Sequence, residues 1–472
     1  MPSQDSLRID RVLTDLRPYG PVRRGQKGAR TLSERMAELH TPGASIAVID
    51  NFDIAWVQGF GVRKTGADAA VLPNTPFQSG SISKPVFALA IMRLCQDGRM
   101  DLDADVRTYL KSWQLPPGDG GWTPKVSLRR LLSHSAGATV HGFPGYPPDG
   151  AWPSLQQVLD GVPPANTQPV FVDLIPGLQS RYSGGGTTIA QLAATDLTGL
   201  LFPDLMRDLV LAPLGMNDSS YEQPPPLRIA DRAAVAHPMN GVPIRESWHV
   251  YPEMGAAGLW TTADDLARMG VALLRGLRGE TSGLGLSRES LSAMLRPQLP
   301  NQPAGGDFFG LGWQCKGEGD ELRFGHAGTN RGFHAEMRFY PATGQGAVIM
   351  INSNEGWCLP EELFQSLERE YRWPASSPQT SEAPVAADVE GTYRDNAGRT
   401  FRLEQSAGKF LLWVDDQDAI HLSSCTNGMF LAKTPQIALR FEPKSDGSRA
   451  MHLTQGGATF EAIADVESRI TK

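Results

Sequence analysis

Apolar and polar positions come in blocks along this chain, and the period of the blocks changes. Residues 44–49 and 54–60 are short apolar runs divided by Asp50-Asn51-Phe52-Asp53, which predicts a β-hairpin. Over residues 81–95 the spacing becomes helical: Val86, Ala88, Ala90, Ile91 and Leu94 recur on one side, and Gly98 closes the stretch. Further helices are predicted at residues 187–197, 262–277 and 286–295. A second hairpin is expected from runs 335–340 and 346–351, joined by Pro341-Ala342-Thr343-Gly344. Strands at both ends of a helical region imply an α+β unit built on one antiparallel sheet whose halves meet late in the sequence.

The rhythm changes after Trp373. Pro374-Ala375-Ser376-Ser377-Pro378, followed by Glu382 and Pro384, reads as a linker. Beyond it, residues 400–405, 409–414, 420–423, 429–432, 437–441, 451–454 and 459–463 are short alternating runs broken by Gly, Asn, Asp and Pro. These predict a small all-β barrel or sandwich. The expected division is therefore a catalytic domain over 1–373, a linker over 374–387 and a β domain over 388–472.

Composition narrows the functional classes. The 472 residues are 40% hydrophobic and carry a formal charge of −7. That is length for two or three domains, and there is no basic tract to attract a phosphate backbone, so nucleic acid is not an expected partner. Residues 1–20 intersperse Asp10, Arg11, Asp15 and Arg17 among apolar positions, unlike an export signal, and no later run has membrane-spanning length. A cytoplasmic protein without a membrane partner is expected. Cys95, Cys315, Cys358 and Cys425 form no C-x-x-C pair, and the nine histidines form no H-E-x-x-H pair, so neither metal nor other cofactor is implied.

The candidate chemistry begins at Ser81-Ile82-Ser83-Lys84. A hydroxyl attacks poorly until a base removes its proton, and a lysine three residues on lies on the same helical face, one turn away. The alternative for Ser81 is a plain helix cap. The same spacing recurs at Ser406 and Lys409, but there it spans a Gly-bearing turn between predicted strands, where no helix joins the two side chains. Pro85 is compatible with a helix only near its first turn.

Several further segments stand in order: residues 77–85, Leu131-Leu132-Ser133-His134-Ser135-Ala136-Gly137, Tyr182-Ser183-Gly184, residues 255–266 and Phe324-Gly325-His326-Ala327-Gly328. Together they resemble the ordered signature of serine β-lactamase-related proteins: class C β-lactamases, D-aminopeptidases, D-Ala-D-Ala carboxypeptidases and esterases of that fold. The resemblance covers about residues 30–370. It implies the β-lactamase/transpeptidase-like fold, with Ser81 as nucleophile, Lys84 as base and Tyr182 as proton shuttle to the leaving group. It further implies that His326 holds the tyrosine, with a charge that depends on pH. The amides of Ser81 and Thr329 are the implied oxyanion donors, with Gly184 and Gly328 beside the substrate. The tail resembles the lipocalin-like domains attached to some of these enzymes, and is expected to cap or narrow the cleft or to mediate self-association, making a homo-oligomer an option.

Two departures stand out. Relatives that recognise β-lactams usually carry Asn at the position of Gly184, and His326 stands where Lys is common; both point away from efficient β-lactamase activity. His134 and Glu253 read as loop-fixing residues, and Trp260 and Trp313 as packing rather than cleft walls. The expected function is hydrolysis of small esters, amides or D-residue-containing peptides through an acyl-Ser81 intermediate. One alternative is a thioesterase of the penicillin-binding-protein type that passes the acyl group to an amine and so cyclises a peptide. A second is a ligand-binding or sensor protein without turnover. An α/β-hydrolase elbow is absent, since Gly43-Ala44-Ser45-Ile46-Ala47 ends in Ala and runs into a predicted strand.

Overall fold

The computed structural model describes residues 4–17, 29–299 except 282, 306–374, and 389–464 except 397, 407–408, 416–418, 425–429, 434–435, 445–447 and 456–457. Most of the expected linker, together with Cys425 and Met429, lies outside these. The strands are β1 (Gly43–Asp50), β2 (Asp53–Gly61), β3 (Phe77–Gln78), β4 (Trp260–Thr261), β5 (Asp307–Phe309), β6 (Gln314–Lys316), β7 (Arg323–Asn330), β8 (Phe333–Tyr340) and β9 (Gln345–Ile351). The remainder are β10 (Gly391–Asp395), β11 (Thr400–Ser406), β12 (Lys409–Val414), β13 (Ile420–Ser424), β14 (Phe430–Lys433), β15 (Gln436–Pro443), β16 (Arg449–Gln455) and β17 (Ala458–Ala464). They fall into two compact units, one holding β1–β9 with the helices and the other β10–β17.

The first unit is a seven-stranded antiparallel sheet in the order β2-β1-β9-β8-β7-β6-β5. Both hairpins expected from the apolar runs are present, and the halves meet where β1 pairs with β9, Ala44 opposite Ile351. The two hairpin turns also lock together. Asn51 and Phe52 both have positive φ (51° and 65°), the Phe52 N–H donates to Gly344 O at 2.8 Å, and a side chain at Gly344 (φ +65°) would strike the Phe52 ring. That is why a glycine closes the second turn.

Both sheet faces are covered, so β1 and β9 read as unbroken apolar runs rather than alternating ones. On one face, Ala335, Met337 and Phe339 of β8 pack with the Ser83–Gln96 and Ala263–Leu277 helices. On the other, Ile46, Val48 and Ile349 pack with Leu363, Phe364 and Leu367 of the Leu359–Tyr371 helix. That helix and the N-terminal one, Gln4–Thr14, had no counterpart among the sequence expectations. The other helices fall close to their expected places, at Gly184–Thr198, Ala263–Leu277 and Arg288–Met294, the last two opened by the side-chain caps Thr262 and Ser287.

The second unit is a closed eight-stranded meander from β10 to β17. Its interior is occupied by side chains: Phe410, Phe430, Phe441 and Tyr393 stack edgewise around Leu403, Leu412, Leu439 and Met451. Closing the meander leaves no strand edge of the barrel unpaired. Ser406 and Lys409, the second Ser-x-x-Lys spacing, face each other across the β11–β12 pair and do not share a helix. Among the described residues, no helix is long and apolar enough to cross a membrane.

Candidate active site

Ser81 does not open an α-helix, as the spacing suggested; it sits in a 3-10 turn, Gly80–Ile82, that runs into the Ser83–Gln96 helix. The turn is held from two sides. The Ser79 N–H and Oγ both donate to Leu259 O (3.0 and 3.1 Å), while Ser83 Oγ donates to Gly80 O (2.6 Å) and accepts the Leu259 N–H (3.0 Å). Gly80 has φ +53°, and a Cβ there would lie 2.6 Å from Thr329 N, so only glycine permits this approach to β7. Pro85 falls in the first helical turn, where a missing N–H costs nothing.

The result is a short Ser–Lys contact. Lys84, buried at 3% exposure, donates from Nζ to Ser81 Oγ and to Ala256 O, both at 2.9 Å. Two fixed acceptors hold a flexible side chain in one place, and the carbonyl comes from the short Met254–Ala257 helix.

Tyr182 joins the pair from a distant stretch of chain. Its ring lies 5.0 Å from Lys84 Nζ and sits among His134 (4.2 Å between centroids), His141 (4.9 Å), Phe309 (5.9 Å) and His326 (6.1 Å). Both neighbours of the tyrosine are tied to His134: the Arg181 N–H donates to His134 O (2.7 Å), and the Ser183 N–H donates to His134 Nδ1 (3.1 Å). Accepting at Nδ1 places the ring proton on Nε2. Burial, with the Lys84 charge second, pushes the His134 pKa well below its usual value, so the ring is neutral. His134 thus does fix a loop, but the loop it fixes carries Tyr182. His141 and Phe309 were missed at the sequence level, because neither sits in a periodic or motif-bearing stretch.

His326 lies on β7 facing the same cluster. Its Nδ1–H donates to Ala327 O at 2.5 Å, which leaves Nε2 as a bare acceptor, buried and without a partner. Burial first, and then the Lys84 charge, lowers its pKa to about 3. The expected pH-dependent charge is therefore corrected: a desolvated imidazole beside a cation stays neutral through the physiological range.

β7 provides the remaining wall. β6 pairs only with its first residues, Arg323–Gly325, and so leaves the edge from His326 onward without a strand neighbour. A Cβ at Gly328 would lie 1.9 Å from Ser79 O and 2.7 Å from Ser81 N, so β7 and the Ser81 turn touch backbone to backbone. Thr329 is steadied from the opposite strand, its Oγ1 2.8 Å from His334 Nδ1. Gly184 begins its helix because a Cβ there would strike the Phe143 ring at 2.8 Å; that ring occupies the space into which an asparagine would project. Trp260 and Trp313 are core residues, stacked edgewise on Trp248 and Phe324 respectively.

A serine hydroxyl against a buried amine, a phenol ring facing that amine and a strand edge beside them define an active-site serine enzyme of acyl transfer. The chain belongs to the β-lactamase family, whose model matches residues 29–363. It is 27% identical to penicillin-binding protein 4 of Amycolatopsis lactamdurans, over 76% of this chain and 95% of that protein. It is 26% identical to the unguisins hydrolase of Aspergillus campestris, over 70% of this chain and 61% of that one. In fold it is similar to the octameric penicillin-binding protein homologue from Pyrococcus abyssi, with a TM-score of 0.59 and 21% identity over 92% of this chain and 98% of that one.

Proposed function

We propose that this protein is a serine hydrolase acting through an acyl-Ser81 intermediate on small esters, amides or peptides containing a D-residue. The observation that carries this reading is the 2.9 Å contact from Lys84 Nζ to Ser81 Oγ, in an amine already anchored by Ala256 O. Ser81 Oγ attacks the substrate carbonyl carbon while Lys84, in its unprotonated amine form, takes its proton and becomes the ammonium. The backbone N–H groups of Ser81 and Thr329 hold the tetrahedral oxyanion. The bond to the leaving group breaks as Tyr182 delivers a proton to it, leaving an ester on Ser81. Water then attacks that ester by the reverse route, releasing the acid and restoring the hydroxyl.

His326, neutral and with Nε2 bare, serves as an acceptor near the phenol rather than as a second cation. The free edge of β7 offers backbone groups to an extended substrate, as in strand addition. With Phe143 filling the space beside Gly184, no side-chain amide is presented to a β-lactam there. The Aspergillus relative is a hydrolase by name, which favours water over an amine as acceptor.

The test is a panel of chromogenic esters, D-aminoacyl amides, a cephalosporin and a peptidyl thioester, run on wild type and Ser81→Ala, with and without an added amine. The expected result is ester or amide turnover that Ser81→Ala abolishes, with acid as the product. Full turnover by Ser81→Ala would overturn the mechanism. Product diverted to the amine would make the protein a transferase, and a stable adduct without turnover would make it a sensor. Self-association, suggested by the octameric homologue, is read from light scattering.

A further inference from the structure

Glu253 is wholly buried, and among the described residues no hydrogen bond of good geometry reaches either carboxylate oxygen. It stands at the head of the Met254–Ala257 helix, where its carbonyl accepts the N–H groups of Ala256 (2.9 Å) and Ala257 (3.0 Å). The other end of this single turn grips both walls of the site: Ala256 O holds Lys84, and Ala257 O accepts from Asn330 Nδ2 of β7 at 3.0 Å. Gln191 clamps the middle, its Oε1 accepting the Gly255 N–H (2.7 Å) and its Nε2 donating to Pro252 O (3.3 Å).

We propose that Glu253 is a positioning residue for the Ser81–Lys84 pair, keeping the turn over residues 252–257 closed as the neutral acid and loosening it when it ionises. The inference rests on the acyl-serine reading above. A buried carboxylate with no cation beside it is costly to enclose, and a phenol's hydrogen bond offsets only part of that cost, so ionisation drives it toward water and takes the head of the turn with it. Among the described residues the titratable groups that face it are phenols, with no cation beside them to offset its charge. The Tyr146 hydroxyl accepts the Asn166 N–H (3.2 Å) and turns its own proton toward Glu253, a partial compensation only. The Tyr251 hydroxyl is engaged by the Arg331 N–H at 3.1 Å, and Lys84 is reached only through the Ala256 carbonyl. Burial raises the Glu253 pKa to about 7, so the change falls in the physiological range.

The experiment measures the rate at which a fluorophosphonate labels Ser81 between pH 6 and 9, in wild type, Glu253→Gln and Glu253→Met. Neither substituted side chain ionises, so the variant-to-wild-type rate ratio should rise by about tenfold from pH 6 to 8. A ratio that stays flat, with Ser81 labelled, overturns the role of Glu253. Absence of any label on Ser81 in wild type instead defeats the acyl-serine reading itself. Should neither variant fold, the wild-type profile decides: labelling that passes a maximum near pH 7 supports the proposal, and labelling that climbs steadily to pH 9 overturns it.

Discussion

Gly328 meets Ser81 so closely that one methyl group would not fit between them: a Cβ on Gly328 would stand 2.7 Å from the Ser81 nitrogen and 1.9 Å from the Ser79 oxygen. β7 and the Ser81 turn are thus set against each other by bare backbone. Gly328→Ala should force them apart and misplace an oxyanion donor, which costs about 10²–10³-fold in kcat where such a donor is lost. Acylation rates together with circular dichroism check this. A folded variant with unchanged rate would mean that the oxyanion is held elsewhere.

Tyr182 is packed by rings, and its hydroxyl is what the proposed mechanism uses. Tyr182→Phe keeps the contacts to His134 and Phe309 and should melt within a degree or two of wild type, while kcat falls by about 10²–10⁴-fold. Thermal melts and steady-state kinetics on the best ester separate the two effects. Retained turnover in a well-folded variant would remove the proton-shuttle role.

His326 makes stability depend on pH in a definite direction. Its pKa is about 3 in the folded chain, against an ordinary value of 6.5, so below pH 6.5 the unfolded chain binds the extra proton. Its contribution is whole above pH 6.5 and is lost as pH falls toward 3, by about 1.4 kcal/mol per pH unit. His134, also lowered by burial, adds in the same sense. Urea midpoints at pH 7 and 4.5 should fall less in His326→Gln than in wild type. Equal losses in the two proteins would mean that the imidazole is not held neutral.

Arg35 and Glu362 form a bidentate pair (2.7 and 2.6 Å) joining the Leu32–Glu38 helix to the Leu359–Tyr371 helix. Arg35 is 8% exposed and Glu362 not at all. Glu362→Ala leaves the buried guanidinium with Glu38 as its remaining carboxylate partner and should cost about 1.5–3 kcal/mol, whereas Arg35→Met with Glu362→Leu together should recover most of it. Denaturant unfolding of the three variants measures this, and a cost below about 1 kcal/mol for Glu362→Ala would show the pair to be dispensable.

The hairpins and the long helices were legible in the chain because their signals are local: apolar periods, a glycine in a turn, a threonine cap. The barrel strands were legible for the same reason. The helix at Leu359–Tyr371 was not, although it covers one whole face of the sheet, and neither was the 3-10 geometry at Ser81, which follows from contacts to Leu259 and Thr329 far along the chain.

By itself, the sequence determined that Ser81 and Lys84 lie one turn apart and that the ordered motifs belong to this family, since neighbours along a helix are settled by backbone geometry alone. Only the tertiary structure decided that Ala256 anchors the lysine, that His134 and His326 are neutral, that Phe143 occupies the place of an amide and that Glu253 is shut away from water. Those facts depend on which distant segments exclude water from one another, and burial of that kind leaves no mark in local spacing.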